Sequence, residues 1–226
     1  MTAASCISRL TERLLNALFP LECLACGREG SHVCAACLAG IALIPKEPKA
    51  PPVLTAVVCA YAYAQPVVRT LIGDYKYRAL HAARPAIETL ARRSAGACAG
   101  RCGSAEIIVP VPLHERRLRE RGFNQAETIA VQLAASLKKP VSTKVLVRAR
   151  ETRPQAEPET DRARNVLGAF LADRDLVTGR RILLVDDVWT TGATMGACAE
   201  ALLSAGAREV RGYALAWGKG NDDKKN

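Results

Sequence analysis

The run ILLVDDVWTTGATM, residues 182–195, constrains the fold more than any other stretch of the chain. Four consecutive aliphatics, Ile182 to Val185, read as a strand covered on both faces, as strands of a parallel sheet are. The strand runs into Asp186 and Asp187, and a carboxylate buried without a partner is costly. A threonine-rich turn around Gly192 follows, then an alanine-rich stretch of helical character. Strand, turn and helix in this order predict a βα unit with two acids at the carboxyl end of its strand.

Similar alternation runs through the rest of the chain. Strands are expected within 53–64 and over 106–113, 141–149, 166–172, 181–188 and 209–217. Helices are expected over 67–79, 82–94, 122–137 and 193–205, the third with Ala126, Ile129, Ala130, Leu133 and Leu137 along one face. The segment 96–105, GACAGRCGSA, reads as a loop, and 150–165 carries turn and charge residues without periodicity. Strands alternating with helices imply βαβ units, so the expected fold class is α/β, a parallel sheet flanked by helices. In front lies a small cysteine knuckle. The division expected is 1–45 for an amphipathic helix and the knuckle, 46–52 for a proline-rich linker, 53–218 for the α/β domain, and 219–226 for a disordered tail. Leu10, Leu14, Leu15 and Leu18 recur at helical spacing, a face that suits docking on the chain itself or on a membrane or partner surface.

Nine cysteines stand in the chain, and four of them form two CxxC pairs, Cys23/Cys26 and Cys34/Cys37, separated by seven residues. Each pair lets a tight turn present two sulfurs to one tetrahedral ion, the pattern of a structural zinc site. Gly27 follows the first pair, where such a turn favours a left-handed backbone. With four sulfurs available, His32 is unnecessary as a ligand. A fully thiolate site leaves no open position for chemistry, so the zinc is read as structural. Cys6, Cys59, Cys98, Cys102 and Cys198 lack ligand spacing and read as small buried or surface residues.

Acids at a strand's carboxyl end fall where open α/β sheets bind ligands. Carboxylates there accept hydrogen bonds from hydroxyls, and a vicinal diol offers two. The TTGAT turn adds backbone N–H groups, threonine hydroxyls and the positive end of a helix, all suited to a phosphate. A diol site beside an anion site describes a ribose 5-phosphate. A glycine-rich GxxxxGK[ST] loop is missing, which argues against a nucleoside triphosphatase.

These residues resemble the phosphoribosyl diphosphate (PRPP) signature of type I phosphoribosyltransferases. The resemblance assigns Asp186 and Asp187 to the ribose hydroxyls, as the catalytic acids, and Thr190, Thr191, Gly192, Ala193 and Thr194 to the 5-phosphate. Trp189 departs from the small aliphatic residue usual there, and packing is the favoured role for it. VPVPLHERRLRERGFNQAE (109–127), with the CxxC pairs before it and RPQAEPETDRARNVLGAF after it, is similar to the ComF/GntX family, whose members pair an N-terminal zinc ribbon with a type I phosphoribosyltransferase domain. The resemblance implies a pyrophosphate loop at 111–117, with Arg116 and Arg117 as candidates and a strained or cis peptide near Pro112 or Leu113. It implies a closing lid at 150–165, with Arg150, Arg153, Arg162 and Arg164 as candidates, although EPET departs from the family's pattern there. It further implies a hood over 53–95 and magnesium bound with PRPP.

The implied activity is pentosyl transfer from PRPP to an acceptor that the sequence does not name, in a setting of competence and DNA uptake. Two other readings stay open, a non-enzymatic component that binds single-stranded DNA or DNA-uptake proteins, and a PRPP or nucleotide sensor. The net charge of +10 suits phosphates, nucleic acid or acidic lipid alike, and the 4% aromatic content argues against a base-stacking platform. No run approaches the length of a membrane span. Arg9, Glu12 and Arg13 interrupt the place of a signal peptide's apolar region, and the cysteine usage suits a reducing compartment. A cytoplasmic location is expected, with membrane association only through partners.

Overall fold

The computed structural model describes residues 21–44, 47–77, 80–102, 104–149 and 168–218. The expected amphipathic helix near the start, the lid candidates Arg150, Arg153, Arg162 and Arg164, and the tail lie outside the described residues.

Four strands rich in Val, Ile, Leu and Ala pair side by side: β1 (Val57–Ala62), β2 (Ile107–Pro110), β5 (Arg181–Trp189) and β6 (Glu209–Trp217). Their order is β1-β6-β5-β2 and every pairing is parallel. Such strands need cover on both faces, and the alternation along β5 supplies two cores. Leu183 and Val185 belong to a cluster with α2 (Pro66–Tyr77), α3 (Leu80–Cys102) and α5 (Gln125–Leu137). Ile182 and Leu184 belong to a second cluster, with α7 (Ala193–Ser204) and an antiparallel ribbon of β3 (Leu146–Arg148) and β4 (Phe170–Ala172). Gly212 of β6 permits a close approach in this second layer, since a Cβ there would stand 2.4 Å from the Met195 sulfur.

Short helices complete the layers: α1 (Ala35–Gly40) in the knuckle, α4 (Glu115–Arg121) and α6 (Arg174–Val177). The knuckle is not a separate core. Cys23, Val33, Cys34 and Ile41 join the cluster of α2 and α3, and the Arg93 guanidinium of α3 donates to the carbonyls of Leu38, Ala39 and Ile41. The proline-rich stretch is irregular and lies against the sheet layers, with Glu47 paired to Arg101 at 2.6 Å.

Several expectations need correction. Residues 96–102 are helical, because Ala91, Ala95, Cys98 and Cys102 recur at helical spacing and are buried while Gly96 and Gly100 face solvent. Burial along that face outweighs the cost of about 1 kcal/mol per helical glycine. The helix expected over 122–137 is present and starts at Gln125, capped by the Asn124 side chain accepting the Ala126 N–H, while a further helix not expected from the sequence, α4, precedes it and is closed by Gly122 at φ +77°. The strand expected over 141–149 divides into a bridge from Val141 to Ile108 and the separate β3. Only one strand forms within 53–64, and it pairs with β6 of the main sheet, so the start of the expected hood belongs to the sheet. All peptide bonds among the described residues are trans, including those at Pro112 and Leu113.

Candidate functional site

The strand pleat decides where the two acids go. From Ile182 to Asp187 successive side chains of β5 point to opposite faces, and the alternation breaks beyond, with Val188 on the side of α2 and α5 and Trp189 on the side of α7. Asp186 follows Ile182 and Leu184 onto the α7 side, and Asp187 follows Leu183 and Val185 onto the side of α2 and α5. β2 ends opposite Val185, so one edge of β5 is open beyond that point.

On the α7 side, Asp186, Trp189, Thr190, Thr191, Gly192, Ala193, Thr194 and Met195 line a cavity of about 40 Å³. Every residue that the sequence assigned to a phosphate is in that lining. Helix α7 begins here at Gly192, which offers no side-chain cap; the Ala193 N–H donates to Thr191 Oγ1 at 3.4 Å, and no acid stands in the first turn. Its first amides lack intrahelical acceptors, and the helix dipole makes this end positive. Gly192 shapes the turn twice over. Its φ is +79°, and a Cβ on it would stand 2.4 Å from the Trp189 ring. Trp189 is buried under the turn and packs, as the sequence reading favoured.

Burial, followed by the neighbouring Asp187 charge, raises the Asp186 carboxyl to about 8, against 3.8 for an ordinary aspartate. Its Oδ1 accepts the Asp187 N–H at 2.9 Å. Asp187 meets a residue that sequence reasoning missed. The Lys76 ammonium of α2 contacts Asp187 Oδ2, an oxygen otherwise buried without a hydrogen-bond donor. Burial pulls the Lys76 ammonium down, but Asp187 and then Asp186 outweigh that and hold it above its ordinary value. Nothing in DYKYRA marks this lysine, because a lysine on a helix usually faces solvent.

Asn124 is a second residue that sequence reasoning missed, and its signal was present as an amide just ahead of a helical run. Its Nδ2 donates to the Val111 carbonyl at 3.0 Å, which holds the segment leaving β2. That segment includes the expected pyrophosphate loop, but Arg116 and Arg117 lie on α4, where the exposed Arg116 pairs with Glu120 at 2.9 Å. Neither arginine lines the cavity of Asp186. His114 caps α4 by accepting the Arg116 N–H.

The four knuckle cysteines converge, with all ligand atoms within 4.8 Å of one another. Sulfurs about 2.3 Å from one tetrahedral ion stand about 3.8 Å apart, and the Cys26 and Cys34 sulfurs are 3.8 Å apart. The Cys34 N–H donates to the Cys23 sulfur at 3.3 Å, and such amides draw Cys23 down to about 6. Contact with the Cys34 sulfur and then with Cys26 pushes Cys37 up to about 12. Four thiols this close cannot all ionise without a cation among them, so the donor set fits a thiophilic metal ion. The knuckle also reaches the acid site's neighbour, since His32 Nε2 lies 3.0 Å from Asp74 of α2.

Residues 123–226 match the model of the phosphoribosyl transferase domain. The chain is 35% identical over 114 residues to competence protein F of Haemophilus influenzae, covering 49% of this chain and 50% of that one. It is 38% identical over 109 residues to the DNA utilization protein YhgH of Escherichia coli K12, covering 48% of each. It is 36% identical over 110 residues to competence protein ComFC of Bacillus subtilis, covering 48% of this chain and 43% of that one. The chain thus spans about half the length of the curated relatives it matches. Among the described residues, no helix is long and apolar enough to cross a membrane.

Proposed function

We propose, from the premise that this is a ComF-family chain carrying a phosphoribosyl transferase domain, that it binds PRPP with magnesium and transfers the pentosyl group to an acceptor. One observation carries the reading: Asp186 and the turn from Thr190 to Thr194 line a single cavity at the acid-free start of α7. The cavity is small, about 40 Å³, the scale of a compact anion and not of a whole nucleotide.

In this reading the α7 amides and the hydroxyls of Thr190, Thr191 and Thr194 hold the 5-phosphate. Asp186 and Asp187 reach the ribose hydroxyls from opposite sides of β5. Ionised, each accepts a hydroxyl hydrogen. Protonated, as its raised value favours without ligand, Asp186 donates one bond and accepts another. Breaking the bond from C1 to diphosphate builds positive charge on the ring, and a carboxylate near that ring stabilises it. Magnesium would come with the diphosphate of the substrate and would supply positive charge to the leaving group. The knuckle cysteines Cys23, Cys26, Cys34 and Cys37 hold a structural zinc ion that fixes the turn and the seat of α2. The relatives' names connect the activity to competence and DNA utilisation.

Calorimetric titration of the zinc-loaded protein with PRPP, with and without magnesium, tests the reading. Saturable, magnesium-dependent binding is expected, and the Asp186→Asn/Asp187→Asn variant should fold but lose it. Equal affinity in that variant would contradict the site.

A further inference from the structure

The acid pair creates an electrostatic difficulty that the TTGAT turn does not solve. A pentose carrying a diphosphate is a polyanion, and it must approach Asp187, a carboxylate. The ammonium of Lys76 rests on that carboxylate, and the two side chains are 22% and 13% exposed, so the contact is shielded from water without being sealed. An ammonium has three N–H donors, and a single contact with Asp187 leaves others to offer.

The end of α2 that carries Lys76 is fixed on both sides. Asp74 is held by His32 of the knuckle at 3.0 Å. The Tyr75 hydroxyl donates to Thr128 of α5 at 2.7 Å, and its ring lies against Phe123 at 4.9 Å. Residues 74 and 76 are two apart on a helix and face different ways, so one end of α2 meets the knuckle and the acid site at once. Arg121 adds positive charge near Lys76 and has partners of its own. A cation held this firmly beside an acid serves a site better than a freely mobile surface lysine, because little ordering remains to be done when ligand arrives.

Resting on the PRPP reading above, we propose that Lys76 is a ligand-contacting residue: its ammonium bridges Asp187 and an oxygen of the diphosphate at C1 of the bound pentose. It thereby discriminates a sugar diphosphate from a sugar bearing the 5-phosphate alone.

The test compares PRPP with ribose 5-phosphate in calorimetry on the wild type, Lys76→Met and Lys76→Arg. A hydrogen bond to a charged group supports a loss of about tenfold or more for PRPP in Lys76→Met, with ribose 5-phosphate changed less than about threefold and Lys76→Arg intermediate. Undiminished PRPP affinity in Lys76→Met, or an equal loss for both ligands, overturns the proposal. Wild type that binds neither ligand overturns the underlying PRPP reading instead. A second readout needs no substitution that empties the position. In reductively ¹³C-methylated wild type, the Lys76 resonance, assigned by its absence from Lys76→Arg, should move with PRPP and much less with ribose 5-phosphate. A stationary resonance at saturating PRPP refutes the contact.

Discussion

Replacing Asp186 with asparagine should make the ligand-free protein more stable and a poorer binder at the same time. The carboxyl of Asp186 is raised from 3.8 to about 8 by burial and by Asp187. Because the folded value lies above the unfolded one, the sign is fixed. Below about pH 4 both states hold the proton and the group is neutral to stability. Between about 4 and 8 the unfolded chain releases it while the folded chain keeps it, so stability falls as pH rises, and above about 8 the loss is complete. At pH 7 the gap from 3.8 amounts to about 4 kcal/mol at 1.36 kcal/mol per unit. Asparagine keeps an oxygen for the Asp187 N–H but brings an amide NH₂, and a buried donor left unpaired costs about 1–3 kcal/mol. The net expectation is a gain of about 2 kcal/mol at pH 7, or about 4–8 °C in melting temperature for a chain of this size. Urea unfolding of wild type and variant at pH 4, 5, 7 and 8.5 should show the variant's advantage shrinking as pH falls and reversing below about pH 5–6, where the unpaired amide outweighs the fading penalty on the buried carboxylate. A variant less stable than wild type at pH 7, or a gap independent of pH, would refute the reasoning.

Other consequences follow from the same geometry. Gly192→Ala places a Cβ against the buried Trp189 ring in a left-handed backbone, so it should cost about 2 kcal/mol or more and weaken sugar-phosphate binding. Urea unfolding and calorimetry of one preparation check both effects, and wild-type values in either would count against the described turn. The purified chain should carry one zinc ion by atomic absorption, and Cys37→Ser should lower that content and the melting temperature together, because Cys23 and Cys34 join the main core. A metal-free preparation whose melting temperature is unmoved by added zinc would contradict the knuckle's role.

The parts of the molecule that were legible in the sequence are those where one local pattern had one physical solution. Ile182 to Val185 could hardly be anything but a doubly covered strand, and TTGAT after two acids fixed the turn and the start of α7. The cysteine spacing likewise located four sulfurs that do converge. Lys76 was illegible because its partner, Asp187, comes from a strand far along the chain, and only tertiary packing of α2 on the sheet brings them together. The helix through Gly96 and Gly100 was misread because glycine and cysteine looked like loop chemistry, while the deciding signal was the buried spacing of Ala91, Ala95, Cys98 and Cys102. The pleat's separation of Asp186 from Asp187 follows from strand geometry alone, since neighbouring residues of a strand face opposite ways.

Amide NMR tests the central claim most directly. On titration of ¹⁵N-labelled protein with ribose 5-phosphate, the largest saturable shifts should fall on Thr190 to Met195 and on the Asp186 and Asp187 amides, and ribose without phosphate should leave the turn unmoved. Saturable shifts clustered elsewhere, or none at millimolar ligand, would mean that the cradle at the start of α7 is not a phosphate site.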